Sequence, residues 1–320
     1  MAALRIACAG GVLALLTLAA PSPASAHLRT GTVAAGYRAS VTSPAPSPGA
    51  PFAVGVYQGD RALHLRVNGA HTVVVVGYLG ERFLRVDAAG VAIDRASPTA
   101  AAAGLVTGTG ARTGWVLEPR RHTVVWHDPR VQLGAGLERA RWSVPILLDG
   151  RRERIVGEIE RLPRPAAWPW LLGVLLLCGG ALLLGIRGNA RRWERASVVL
   201  GAVSAAAGLV VVAGFAAGAY ASPGTWIAGF NEAFCAAVGF GILAAGPPEW
   251  RLPTGIGLGL LGLAIGLFYG EIFVDAAVLS ALPSTATRFF VTLAIGAGLA
   301  GPFVGGLAYA ASSAARSDAT

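Results

Sequence analysis

The stretch RLPRPAAWPWLLGVLLLCGGALLLGIRGNARRWER, residues 161–195, decides the fold. Its first part is polar and broken by Pro163, Pro165 and Pro169, which interrupt regular structure because proline lacks the backbone N–H. Trp168 and Trp170 stand at its edge, amphipathic rings of the kind that settle at the headgroup level of a bilayer. From Pro169 to Ile186 there is no charged residue, and the run approaches the ~20 residues a helix needs to cross hydrocarbon. Arg187, Arg191, Arg192 and Arg195 then follow within nine residues. The stretch therefore reads as the junction between a water-facing chain and a membrane domain.

Downstream of the junction the apolar pattern repeats. Five spans are expected: Pro169–Ile186, Ala196–Tyr220, Trp226–Ala245, Thr254–Val274 and Phe289–Ala311, with residues 312–320 as a tail. The segment from Glu271 to Pro283 reads either as a loop or as a short amphipathic helix. The composition agrees. The 320-residue chain is 54% hydrophobic and 13% charged, whereas a soluble domain carries about 25% charged residues. Of its 43 charged residues, 29 lie between His27 and Ala167 and 13 from Pro169 onward. The arginine-rich turn after the first span is expected on the cytoplasmic face, because cationic loops are retained there. That places residues 27–162 outside and the C-terminal tail in the cytoplasm of a cell-membrane protein.

Upstream, residues 1–26 have the form of a secretory signal peptide: Arg5, an apolar stretch from Ile6 to Ala20, and Ala24-Ser25-Ala26 as the small-residue cleavage site. Cleavage there makes His27 the mature N-terminus. Residues 27–162 read as a β domain. From Arg61 to Asn68 the residues alternate, with Leu63, Leu65 and Val67 on one face and Ala62, His64 and Arg66 on the other, the period of a half-buried strand. Asn68-Gly69 and Asp149-Gly150 are turn signals, the second a strong hairpin marker because both residues tolerate positive φ. About eight short strands separated by turns suggest a sandwich or small barrel. The Ala/Gly-rich stretch from Ser97 to Gly110 reads as a loop, and residues 163–168 as the linker.

The net charge of +9 does not indicate nucleic-acid binding. No lysine is present, and the arginines of the first half are interleaved with 11 acidic residues rather than clustered. The cysteines are Cys8, Cys178 and Cys235, so the exported domain contains none and must be held by its own core.

Two constellations could carry chemistry. All five histidines, His27, His64, His71, His122 and His127, lie in the exported half. A mature N-terminal His27 offers an amine and an imidazole to one Cu(II) ion, and His127, with Asp128 as ligand or ring-orienting group, would complete a site of the type copper favours. The plainer reading is that these histidines are solvated or hydrogen-bonded; His122 and His127 are five residues apart and face opposite sides of a strand. The second constellation is intramembrane. Glu232 lies about 10 Å into its span at 1.5 Å per residue, and Glu271 and Asp275 lie at the outer end of the fourth span on one helical face. Arg288 is a candidate counter-ion. Ionisable groups at membrane depth are functional candidates; interfacial solvation of Glu271 and Asp275 and hydrogen bonding of a protonated Glu232 are the plainer reading.

Gly255/Gly259, Gly262/Gly266/Gly270 and Gly301/Gly305 recur at helical spacing. They suit close helix packing within the bundle or across a homo-oligomer or partner interface. Pro302 is expected to kink the last span. No serine nucleophile elbow, P-loop, His-Glu-x-x-His or Cys-x-x-Cys motif occurs.

Val76-Gly77-Tyr78-Leu79-Gly80-Glu81-Arg82-Phe83-Leu84-Arg85, Ala96-Ser97-Pro98, Trp126-His127-Asp128 and Trp142-Ser143-Val144-Pro145 before Asp149-Gly150 together resemble a group of actinobacterial exported multi-pass membrane proteins of unassigned function. The resemblance covers about 75 residues and implies architecture. Many members of that group carry a further histidine just past the Trp-His-Asp motif; this chain reads Asp128-Pro129-Arg130 there, which counts against a metal site. The mature N-terminal His27 before a β domain is similar to the CopC-type periplasmic copper-binding proteins, a likeness that implies copper and rests on His27 and the layout alone. The expectation is a non-enzymatic envelope membrane protein whose exported β domain binds a partner or small ligand, with copper handling as the alternative.

Overall fold

A computed structural model describes residues 33–45, 47–57, 62–106, 114–119, 122–218 and 223–317. The expected signal peptide, its cleavage site and His27 lie outside the described residues. The chain divides into two compact units, one of Ala34–Arg164 and a second that takes the chain from Pro165 onward together with Val33.

Among the described residues of the first unit are ten strands of four or more residues: β1 (Tyr37–Ser43), β2 (Phe52–Tyr57), β3 (Ala62–Val67), β4 (Val73–Val76), β5 (Arg82–Asp87), β6 (Gly90–Asp94), β7 (Trp115–Pro119), β8 (Thr123–His127), β9 (Arg139–Leu148) and β10 (Arg151–Arg161). They form a seven-stranded sheet in the order β1-β10-β9-β4-β5-β6-β7 and a three-stranded sheet, β2-β3-β8. The pairings are antiparallel throughout. In β3, Leu63 and Leu65 are fully buried, Val67 is nearly so, His64 is half-buried and Arg66 is exposed, as the alternation expects; Ala62, expected on the outer face, is fully buried as well. Asp149 (φ 50°) and Gly150 (φ 82°) form the two-residue turn between β9 and β10, as their left-handed tolerance requires.

Both sheets feed one core. Leu63, Leu65 and Trp126 come from the small sheet, and Val75, Phe83, Leu84, Val144, Ile146, Ile155 and Ile159 from the large one. Each such side chain stabilises the fold by roughly 1.5–3 kcal/mol on burial, and this holds a unit without cysteines together. One close approach is built into the large sheet. Trp142 lies opposite Gly157 across β9 and β10, and a Cβ on Gly157 would overlap both the Trp142 ring and the Ser40 carbonyl. Glycine at 157 gives the indole its place over the neighbouring strand.

Two local expectations are corrected. The stretch from Ser97 is not all loop, because Pro98–Ala102 forms a short helix, α1. Ser97 caps it by accepting from the Thr99 and Ala100 N–H groups, and Pro98 presets φ at the first helical position. Strand β7 carries no strand signal in the sequence. Its outward residues Trp115 and Leu117 are apolar and exposed, so no inside-outside alternation marks it.

Among the described residues of the second unit, five helices are long and apolar enough to span a membrane: α2 (Trp168–Arg187), α3 (Ala190–Ala216), α4 (Pro223–Ala245), α5 (Arg251–Phe268) and α6 (Ser284–Ser317). The helices overlap the five expected spans with ends that differ by up to six residues: α3 begins at Ala190 rather than Ala196, α6 runs over Ser284–Ser317 rather than Phe289–Ala311, and the fourth ends early. That helix ends at Phe268 rather than Val274, and a 3₁₀ turn follows over Gly270–Phe273. Helix α6 runs on through Pro302.

Helices α3, α5 and α6 form the centre. Helix α5 lies parallel to α3: Gly255 meets Val198 and Gly201, Gly262 meets Ser204, and Ile265 meets Gly208. Helix α6 runs antiparallel to α3, with Gly305 at Ser197 and Gly301 at Gly201, and Leu282, just before α6, lies at Gly214. A Cβ on Gly201 would overlap the Gly255 carbonyl, and one on Gly262 would overlap Ser204. Gly255, Gly259, Gly262, Gly266, Gly301 and Gly305 are all buried in the bundle, whereas a Cβ on Gly270 would meet open space. Where the three helices meet, Ser204 Oγ lies 2.7 Å from the Ala294 carbonyl and 3.3 Å from the Gly259 carbonyl. Helix α2 packs in parallel along α6, through Gly173–Thr292, Leu177–Gly296 and Gly185–Leu307, and α4 packs against α3 and α5 through Ala236, Ala205 and Leu258. Leu175, Leu176 and Ile186 on α2 and Phe230 and Phe234 on α4 are exposed, apolar faces suited to lipid.

Candidate functional site

The motifs quoted from the N-terminal half converge in one place. After β4, the chain turns at Gly77–Glu81, closed by the Gly77 N–H donating to the Glu81 carbonyl at 2.7 Å and the Gly80 N–H to the Gly77 carbonyl at 3.2 Å. Gly80 takes φ 82°, a conformation glycine adopts without strain. A Cβ on Gly77 would overlap the Glu81 carboxylate, which folds back over the turn. That carboxylate accepts from the hydroxyls of Thr99 at 2.5 Å and Ser97 at 2.8 Å and from the Leu79 N–H at 3.0 Å. Thr99 Oγ1 in turn accepts from the Tyr78 N–H at 3.0 Å. Partial burial alone would raise the Glu81 pKa, but the Thr99 and Ser97 hydroxyls and the backbone donors prevail and hold it at about 2.

The other side of the cluster is Asp128, which is fully buried. Arg130 grips it through Nε to Oδ1 at 2.8 Å and Nη2 to Oδ2 at 2.7 Å. Trp126 Nε1 donates to Oδ2 at 3.0 Å and the Arg130 N–H to Oδ1 at 3.1 Å. Arg130 Nη1 donates to the Val76 carbonyl at 3.0 Å, and its guanidinium lies over the Tyr78 ring, 4.9 Å from the centroid. The Tyr78 hydroxyl approaches Asp128 Oδ1 at 3.5 Å. Burial first, then the Asp128 charge, push the Tyr78 pKa up to about 12, with Arg130 opposing.

The arrangement is a clasp that ties the end of β4, the start of α1 and the turn after β8 to one another. Its carboxylates are occupied by protein donors, which leaves Asp128 no face for a metal ion while Arg130 is in place. What the clasp presents outward is the turn itself: Leu79 is 79% exposed and Tyr78 40%.

The histidines are dispersed. His127 is exposed at the end of β8, on the opposite side of the strand from buried Trp126. His64 is half-buried in β3, where burial and then Arg66 lower its pKa. His71 Nδ1 donates to Asp149 Oδ2 at 2.8 Å and His122 Nδ1 to the Asp87 carbonyl at 3.2 Å. Among the described residues no three His, Cys, Asp or Glu side chains group closely enough to hold a metal; the expected copper site depends on His27, outside them.

In the membrane unit, Glu232 sits half-buried on α4 with Oε2 enclosed by protein. Glu271 is exposed on the 3₁₀ turn and Asp275 follows it, its N–H donating to the Glu271 carbonyl at 3.1 Å, so the two lie beyond α5 rather than on its outer end as expected. Arg288 is a correction of the same kind. It is 8% exposed and donates to three backbone carbonyls, Ile272 at 2.8 Å, Asp275 at 2.9 Å and Ala276 at 3.3 Å, in place of a carboxylate. These bonds satisfy carbonyls beyond the end of α5 and stabilise a turn where more helix was expected.

The sequence carries no separate functional signal for Tyr78, Glu81, Thr99 and Arg130. The Ser97-Pro98 pair, an N-cap before a first-turn proline, was the legible signal for α1; the pairing of Asp128 with Arg130 across a two-residue turn has no periodic signature. Comparison of the chain with family models, curated proteins and solved structures finds no match.

Proposed function

We propose that this is a non-enzymatic cell-envelope protein, with a sandwich-like β domain held outside the cell membrane by the five-helix bundle, and that the β domain recognises a protein partner through the turn Gly77–Glu81. The observation that carries this reading is an exposed leucine on a turn pinned by buried charge. Leu79 stands 79% exposed, while Glu81, Thr99, Asp128 and Arg130 hold the flanking residues through hydrogen bonds of 2.5–3.0 Å. An apolar side chain held rigidly in water costs little entropy to bury against a partner, and loops positioned by a rigid scaffold commonly carry binding. Outward-facing Trp115 and Leu117 on the edge strand β7 add apolar surface to the same domain. The arginines at 187, 191, 192 and 195 support an orientation with the β domain outside and the tail inside.

A photo-crosslinking amino acid at position 79, in cells expressing the full chain, tests the reading. A discrete adduct from position 79 that is missing from the exposed turn position 89 supports it. Equal adducts from both, or none from position 79, overturn it.

A further inference from the structure

The corner between α2 and α3 has features of a lipid site beyond those needed to stop a helix. Only Gly188 and Asn189 separate the two helices. Asn189 caps α3 by accepting from the Arg192 N–H at 3.1 Å, and Trp193 Nε1 donates back to the Leu184 carbonyl of α2 at 2.9 Å. A Cβ on Gly188 would overlap the Trp193 ring. The corner is thus closed from both sides, and the arginines on it keep a fixed spacing.

Arg187, Arg191, Arg192 and Arg195 are all exposed, and among the described residues no ion pair engages them. One acid, Glu194, lies among them, half-buried. Their placement above the apolar faces is the second observation. Residues four apart lie on one helical face. Arg187 therefore shares a face with Leu183, which is 55% exposed, and Arg195 with Val199, 59% exposed. Arg187 and Arg195 thus each stand over an apolar strip suited to an acyl chain, one strip on each side of the corner.

We propose that this corner binds anionic phospholipid, the phosphate and extra negative charge of the headgroup lying among the four guanidiniums and the acyl chains along α2 and α3. Guanidinium forks match phosphate oxygens bidentately, and each cation near an anionic leaflet adds to the attraction. The proposal holds whichever side of the membrane the corner occupies.

The test uses the full chain, reconstituted in nanodiscs of phosphatidylcholine with or without phosphatidylglycerol and examined by native mass spectrometry for retained lipid. Phosphatidylglycerol is expected to be retained over phosphatidylcholine by about tenfold or more, with the preference falling as salt rises from ~0.05 to ~0.5 M. Combined Arg187→Gln, Arg191→Gln, Arg192→Gln and Arg195→Gln changes should abolish the preference. Arg151→Gln, Arg152→Gln and Arg154→Gln in the β domain should leave it intact. Should the combined variant fail to fold, the single Arg191→Gln and Arg195→Gln variants, checked by circular dichroism, replace it and should each reduce retention. Equal retention of both lipids, a preference insensitive to salt, or a folded variant that still prefers phosphatidylglycerol overturns the proposal. Loss of the preference on adding inorganic phosphate at low salt would mean that the corner binds phosphate alone, and would overturn it as well.

Discussion

Arg130 closes on Asp128 with two nearly parallel hydrogen bonds of 2.7 and 2.8 Å, from a position only two residues further along the chain. Asp128 is fully buried and the Arg130 side chain is 20% exposed. Removing either partner strands the other in a poorly solvated place, which costs about 3–5 kcal/mol for a buried pair. Asp128→Ala and Arg130→Ala should each lower the urea midpoint of the full chain in detergent, followed by tryptophan fluorescence. The double variant should lose clearly less than the sum of the two. Additive losses would show that the pair does not act as a unit.

Glu81 sets a pH dependence. Its folded pKa of about 2 lies below the ordinary 4.5. A depressed carboxylate contributes stability that is complete above the unfolded value and is lost as pH falls through the folded one. Stability of the β domain should therefore decline between about pH 4.5 and about pH 2. Glu81→Gln should flatten that decline while lowering stability at neutral pH. An equally steep decline in Glu81→Gln would assign it to other carboxylates.

Glycines that admit a neighbour should respond differently from glycines that face space. Gly157→Ala would drive a methyl group into Trp142 and the Ser40 carbonyl, and Gly201→Ala into the Gly255 carbonyl; each should destabilise by about 1–3 kcal/mol, as overpacking does. Gly241 meets nothing within 4 Å on α4, and Gly241→Ala should be neutral or stabilise by up to ~1 kcal/mol through helix propensity. Thermal unfolding of the three variants checks the ranking.

Arg288 binds three carbonyls beyond α5. Arg288→Met should loosen residues 270–276 and speed their amide exchange by about tenfold or more. Arg288→Lys should rescue this only in part, since an ammonium lacks the planar fork. Unchanged exchange in Arg288→Met would show that the turn is held by packing alone, with Phe215 stacked on Tyr269 at 4.4 Å as the leading contact.

Architecture was legible where one physical force acts along the sequence. Long uncharged runs located the five helices, and the alternation of Leu63, Leu65 and Val67 located the inward face of β3. Features set by tertiary partners were hidden. Helix α5 stops at Phe268 although Ile272, Phe273 and Val274 extend the apolar run past it, and Arg288 from α6 satisfies carbonyls that follow. Strand β7 has apolar residues on its exposed side and so lacks the usual pattern. The clasp joins Glu81 to Thr99 and Arg130 to the Val76 carbonyl over separations that no local spacing reports. Its motifs were visible as separate fragments, and only folding makes them neighbours.

Ser204 joins α3 to carbonyls of both α5 and α6, and this bears on how the bundle is made. Helix α6 follows the other four in the chain, yet α2, α3 and α5 all pack on it. During synthesis, α3 and α5 must wait in the bilayer with the small-residue faces around Gly201, Ser204 and Gly262 uncovered. Insertion of α6 is then the step that locks the assembly, and chains stopped before Ser284 should remain loose sets of helices open to quality-control proteolysis.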